Sequence, residues 1–310
     1  MAEGSDNWPL AWADDGNLYT SYGDGWGFEP RVPEKLGMGF ARVIGDPPEI
    51  RGENIRSNGE NRGSGRSGKK SSGLLAVGNT LYLLVKSVDG RGNGTQIARS
   101  EDFCRTWVWA DWSLERLGYA AWIDFGQGHH ELPDPLRGYA YFVSPDGPSG
   151  YEPADGFVLA RAPIGRLMER EAYEFFVGLS PSNGPVWGDF EQRRPIYEAP
   201  DRCLRHAMTY SRALGRYLWW QQVPPTQGSD RADSRFAGGF TVLEAPAPWG
   251  PWTPVYATLE WDVGPGERGS FPTKWMAPDG SSAYLVFSGD DTFAVRKASF
   301  LLRGSKPVGP

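Results

Sequence analysis

Five short apolar runs recur along the chain, each entered through a turn rich in Gly, Asp or Asn and carrying a tyrosine at or near its head. They are LYTSYG from Leu18, LYLLVK from Leu81, YAYFV from Tyr139, YLWWQQ from Tyr217 and AYLVF from Ala283. Each is rich in aromatic and β-branched residues and stops at a polar or Gly/Pro loop, the signature of a strand. Their spacing of roughly 60 to 80 residues marks a repeat architecture. Weaker apolar stretches flank each run, so the pattern predicts strands at 8–13, 18–23 and 38–44, then 73–77, 81–85 and 95–99. The next two groups fall at 120–125, 139–143 and 157–161, and at 205–210, 217–221 and 240–244. The last is 271–276, 283–287 and 294–301, after which the tail GSKPVGP ends strand formation.

Two stretches depart from this alternation. Residues 46–72 are polar and rich in Gly, Ser, Arg and Asn, and read as a long loop. Residues 164–176, IGRLMEREAYEFF, space charges and apolar residues in a way that predicts a short helix. Many short strands in an open sheet would expose edges, which a radial stack of small sheets protects. The expected fold is therefore all-β, a five-bladed β-propeller forming a single domain, with blades near 1–50, 70–112, 118–190, 196–258 and 266–303. A β-sandwich fits the strand lengths but not the regular period.

Composition narrows the function classes. The chain has 310 residues with 41 Gly, 26 Pro, 14 Trp, 13 Tyr and 15 Phe, a supply of aromatic rings suited to cores and to stacking on sugars. A net charge of -6 argues against a nucleic-acid surface. Cys104 and Cys203 make no disulfide framework or metal spacing and read as buried thiols. No apolar stretch is long enough for a membrane span, and the first residues lack a signal-peptide pattern, so the expectation is a soluble chain, cytoplasmic as written or secreted with a leader removed.

The segment SEDFCRTW, residues 100–107, resembles the Asp-box turn of sialidase-like propellers, with Cys104 in place of the usual Gly. The opening turn Tyr22-Gly23-Asp24-Gly25 and the overall layout resemble the domain-of-unknown-function family 4185 and five-bladed β-propeller glycosidases. The resemblance implies a carbohydrate-active enzyme of bacterial type engaged in polysaccharide degradation. In related propeller glycosidases the base is an Asp of blade one and the acid a Glu of blade three. It leaves a structural Ca2+ open and calls for no other cofactor.

In antiparallel blades the start of strand one and the end of strand two share a face, so turn residues can be sorted without coordinates. One face collects Asp6, Asp24, Trp26 and Phe28 of blade one, Lys69, Lys70 and Asp89 of blade two, Asp146, Tyr151, Glu152 and Asp155 of blade three, Arg205, His206, Gln222 and Arg235 of blade four, and Glu267, Lys274, Asp290 and Asp291 of blade five. The other receives Asp14, Asp15, His129, His130 and Asp279. Glycoside hydrolysis needs a protonated acid at the leaving oxygen and an ionised carboxylate for water or sugar. Asp24 or Asp6 with Glu152 would supply that pair, while Trp8, Trp26, Lys70, Tyr151, Arg205, His206, Arg235, Lys274, Asp290 and Asp291 would bind substrate. The cations fit an anionic carbohydrate. Two alternatives stay open: a polysaccharide lyase in which Tyr151 or His206 takes the proton beside a uronate carboxyl, and a propeller that binds glycans or proteins without turnover. The sequence sets neither the sugar nor the oligomeric state.

Overall fold

Each tyrosine-headed run becomes the second strand of a small antiparallel sheet, and five such sheets form a β-propeller. The computed structural model describes residues 1–225, 234–264 and 266–302. Blade one is β1 (Leu10–Trp12), β2 (Leu18–Gly25), β3 (Leu36–Asp46) and β4 (Glu49–Ile55). Blade two is β5 (Lys70–Val77), β6 (Thr80–Lys86), β7 (Thr95–Ser100) and β8 (Val108–Leu114). Blade three runs β9 (Ala121–Trp122), β10 (Tyr139–Pro145), β11 (Ala154–Pro163), β12 (Glu174–Leu179) and β13 (Pro185–Gly188), with β14 (Pro195–Cys203) paired to the first part of β11. Blade four is β15 (His206–Ser211), β16 (Arg216–Val223), β17 (Gly239–Ala245) and β18 (Thr253–Thr258). Blade five is β19 (Gly266–Ser270), β20 (Ser282–Gly289) and β21 (Ala294–Ser299).

The second strands read as nearly unbroken apolar runs because both of their faces are buried. Successive side chains of a strand point to opposite sides. On β6, Leu81, Leu83 and Val85 join Tyr19 and Phe40 of blade one, while Tyr82 and Leu84 join Trp122 and Phe142 of blade three. On β16, Tyr217 and Trp219 face Phe125 and Tyr141 of blade three, while Leu218 and Trp220 face Phe271 and Leu285 of blade five. The seam between blades five and one is filled by Trp8, Tyr22, Phe28, Val286 and Phe293. Each pair of neighbouring blades thus shares one apolar cluster, and the ring closes. Backbone bonds from Gly4 and Ser5 to the Asp291 carbonyl, at 2.8 and 3.0 Å, add polar ties across the last seam.

The structure corrects several sequence expectations. Within 46–72, Glu49–Ile55 is not loop but the outer strand of blade one. It is mostly polar because only one side is covered: Gly52 lies flat under the Phe28 ring, and the Asn54 amide donates to the carbonyls of Phe28 and Trp26. The helix expected at 164–176 is absent. Short 3-10 turns occupy Ile164–Arg166 and Arg170–Ala172, and β12 then pairs with β11, which draws Tyr173 and Phe175 into the seam with blade two. The first strand of blade five is Gly266–Ser270, not 271–276, where a 3-10 turn (Thr273–Trp275) stands instead. The tail at 304–310 lies outside the described residues.

Asp102 accepts bonds from the Thr106 amide (2.8 Å), the Thr106 hydroxyl (2.6 Å) and the Ser100 hydroxyl (2.9 Å), and so pins the β7–β8 turn. Cys104 and Cys203 are free and buried. Trp8, expected among the sugar-binding rings, is only 2% exposed and packs in the seam, its indole N–H donating to the Thr292 carbonyl at 3.0 Å. Replacing it by Ala should cost about 3–5 kcal/mol. Chemical denaturation checks this: an unchanged midpoint would mean that Trp8 holds no seam together.

Candidate active site at the propeller axis

The innermost strands surround the axis, where backbones crowd and only small or polar residues fit. Gly23 leaves room for the Asp6 carboxyl, and Gly269 lies against the Trp220 ring. At the end where the first strands begin and the second strands finish, charged groups gather. Asp24 pairs with Lys70. The Arg205 Nε lies 3.1 Å from one Glu267 oxygen, and the Arg235 Nε 3.5 Å from the other. Lys70, Arg205 and Glu267 are all nearly buried.

Asp6 is strongly altered by these surroundings. Its carboxyl is 7% exposed and one oxygen has no hydrogen-bond partner. Burial first, then the charge of Glu267, push its pKa from 3.8 up to about 7; Asp24 and Asp291 act in the same sense and Lys70 opposes them. Burial, with Glu267 next, also raises Asp291. Lys86 moves the other way, down to about 7, through burial and the adjacent Arg205 guanidinium.

Beneath these charges a polar layer crosses the axis. The Asn7 side-chain amide donates to the Ser71 carbonyl at 2.5 Å, its backbone N–H donates to the Ser288 hydroxyl at 2.7 Å, and its side-chain oxygen accepts from Tyr119 at 3.3 Å. Arg268, buried, donates to the Ser72 carbonyl, and burial lowers its pKa. The backbone around the site is unusual too. Asn7, Asp24, Ser87, Asp290 and Asp291 all adopt positive φ, at 59°, 41°, 63°, 56° and 46°. Such left-handed positions in non-glycine residues are uncommon and cluster where geometry serves chemistry.

The structure brings together Asp6, Asp24, Lys70, Arg205, Arg235 and Asp291 from the sequence-based set, and separates others from them. Glu152 stands exposed on the rim, paired with Arg66 from the 56–69 segment, whereas Tyr151 beside it keeps its ring near the axis, 4.3 Å from the Lys86 ammonium, and its hydroxyl donates to the Gly65 carbonyl at 2.8 Å. Burial pushes the Tyr151 phenol up to about 12. His206 is fully buried beneath Arg205. Its Nδ1 accepts from the Trp219 indole at 3.3 Å, and burial lowers its pKa to about 3.

Trp26 is half-buried at the outer edge of blade one, with Lys35 and Arg31 over its ring. Asp290 is exposed beside Asp291. Lys274 lies at the opposite end of the blades, donating to the Gly16 carbonyl at 2.8 Å. It was placed on the wrong face because β19 ends at Ser270, so the chain has already crossed the sheet when it reaches 273–275.

Sequence reasoning missed Lys86, Tyr119 and Arg268 at the axis. Lys86 looks like an ordinary strand-terminal lysine, and the other two sit in short Gly-rich segments, GYAA and GERGS, without apolar alternation. The signal available was the smallness of those segments, which suits innermost strands. Among the described residues, no group of three or more His, Cys, Asp or Glu side chains is arranged to hold a metal ion, and no helix is long and apolar enough to cross a membrane.

No family model matches the chain, and no curated protein does. Solved structures match over most of its length. RS223-β-xylosidase aligns with 99% of this chain and 96% of its own at 13% identity, with a TM-score of 0.53. A GH43_1 enzyme from Xanthomonas citri aligns with 96% of this chain and 87% of its own, at 13% identity and a TM-score of 0.50. For a xylan β-1,4-xylosidase from Bacillus halodurans the coverage is 93% and 49%, the identity 14% and the TM-score 0.53. At these identities the likeness is one of fold: the chain shares its propeller with glycoside hydrolases.

Proposed function

We propose that the chain is a glycoside hydrolase whose proton donor is Asp6 and whose ionised carboxylate is Asp24. One observation carries this reading: a buried carboxyl with a pKa near 7 stands at the axis of a glycosidase-type propeller, amid other acids. A general acid works best when its pKa lies near the working pH. Asp6, protonated, gives its proton to the glycosidic oxygen as the bond to the anomeric carbon breaks. Asp24, beside Lys70 and still a quarter open to solvent, either takes a proton from the water that attacks or itself attacks the sugar carbon. Glu267, locked between Arg205 and Arg235, positions and tunes: after burial, its charge is the next cause holding the proton on Asp6. Glu152 belongs to the substrate-binding rim in this scheme, because its carboxylate is exposed and paired with Arg66.

Activity assayed on a panel of polysaccharides, by reducing ends and by the absorbance of unsaturated uronates, tests the scheme. Reducing ends should appear without the absorbance. Asp6→Asn should lower kcat on the order of 10^3-fold, whereas Glu152→Gln should lower kcat/KM less than about tenfold. The reverse ranking sinks the assignment.

Two pH effects follow from the same group. Because the acid must be protonated, kcat/KM should fall as pH rises through about 7. For stability, the folded pKa of Asp6 exceeds the ordinary 3.8, so the folded state holds this proton more tightly than the unfolded chain. The stability cost of ionising it is absent below about 4, grows between 4 and 7 and is complete above 7. Asp6→Asn should therefore raise the melting temperature relative to wild type at pH 8 and not at pH 4. An equal change at both values would show that Asp6 is not held protonated by the fold.

A further inference from the structure

Lys86 is a buried amine that no carboxylate among the described residues pairs with. It ends β6, directly across from Lys70 on β5, and is 2% exposed. Its ammonium lies 4.3 Å from the centre of the Tyr151 ring and 4.9 Å from that of Tyr119. Its neighbours are partnered: Lys70 with Asp24, and Arg205 with Glu267. No carboxylate among the described residues comes within ion-pair distance of Lys86 itself. Two ring faces recover part of the lost hydration of an ammonium but do not neutralise it.

The surrounding field sharpens the imbalance. Arg205 and Lys70 repel the Lys86 charge, while Glu267 and Asp6 attract it from beyond ion-pair reach. With Asp6 holding a proton, less of that attraction remains. Arg268, also buried, adds another cation to the same layer through its contact with Ser72. A neutral sugar would leave this excess uncompensated, whereas an anion would pair with Lys86 inside a site of low water content.

Resting on the glycosidase reading above, we propose that the axial site takes a saccharide bearing an anionic group, a uronic carboxylate or a sulfate ester, and that Lys86 is its counter-ion. Tyr151 and Tyr119 hold the ammonium in place, and the pairing selects acidic sugars over neutral ones of the same ring. The Arg66 guanidinium, 5.1 Å over the Tyr151 ring, brings a second cation to the same entrance.

The test is calorimetric titration of the Asp6→Asn protein, so that no turnover is required. The probes are methyl glucuronides and galacturonides, the corresponding methyl hexosides, and their 6-sulfates, which share a ring and differ only at C6. At least one charged member should bind about tenfold or more tightly than its neutral parent. Whether carboxylate or sulfate is preferred identifies the source of the anion. Adding Lys86→Met should erase that difference, and Lys86→Arg should retain it. The far-ultraviolet spectrum and melting temperature of each variant exclude misfolding.

Equal affinity for charged and neutral ligands, binding of none of them, or discrimination that survives Lys86→Met would overturn the proposal. The outcome separates from that of the function itself. Discrimination without hydrolysis by the wild-type protein rejects the hydrolase and keeps the anion site; hydrolysis of neutral glycosides without discrimination does the opposite.

Discussion

The fold depends on one constraint: every blade must bury both faces of its second strand against a neighbour. A single sheet can cover one face with its own core, but the runs LYLLVK and YLWWQQ are apolar on both. Only a closed arrangement gives each sheet two partners. The alternation along β6 and β16 shows how this works, since odd and even positions enter different clusters. Radial closure forces the first strands together at the axis, where bulky side chains cannot fit, and leaves that region to glycine and to groups that can hydrogen-bond.

That division explains why chemistry collects at the axis. Charges such as Glu267, Arg205 and Lys70 are buried there without apolar competitors, and mutual pairing offsets most of their desolvation. The offset is incomplete at Asp6 and Lys86, whose altered proton affinities are the measure of it. Apolar seams supply the rigidity that holds a loosely compensated site in one geometry, including five residues in left-handed backbone conformations.

The second strands were the legible part of the sequence, because burial on two faces writes a continuous apolar run. Faces could be sorted as well, so Asp6, Asp24, Lys70, Arg205, Arg235 and Asp291 were placed together from the turns alone. The outer strand Glu49–Ile55 was hidden by its polarity, since it covers the sheet on one side only. The inner strand Gly266–Ser270 was hidden by crowding, which selects small residues in place of alternation. That single shift carried Lys274 to the wrong end. The aromatic side chains misled for a related reason: a tryptophan that suits a sugar also suits a seam, and Trp8 belongs to the latter. Lys86 was invisible because its meaning lies in the absence of a neighbouring acid, a property of space and not of spacing.

The five seams form a circuit. In a linear stack of sheets a weakened contact loosens the units beyond it, whereas around a ring each blade stays tethered from its other side. Damage to one seam is therefore shared by four intact ones until the circuit parts. The seam between blades five and one is closed by side-chain packing around Trp8, Phe28 and Phe293, by bonds to the Asp291 and Thr292 carbonyls and, at the other end, by Lys274 and Trp275 donating to the Gly16 and Gly45 carbonyls. The Asp291 and Thr292 carbonyls adjoin the Asp291 carboxyl at the charged end of the axis, so the mechanical latch of the ring and the mouth of the candidate site are built from the same few residues.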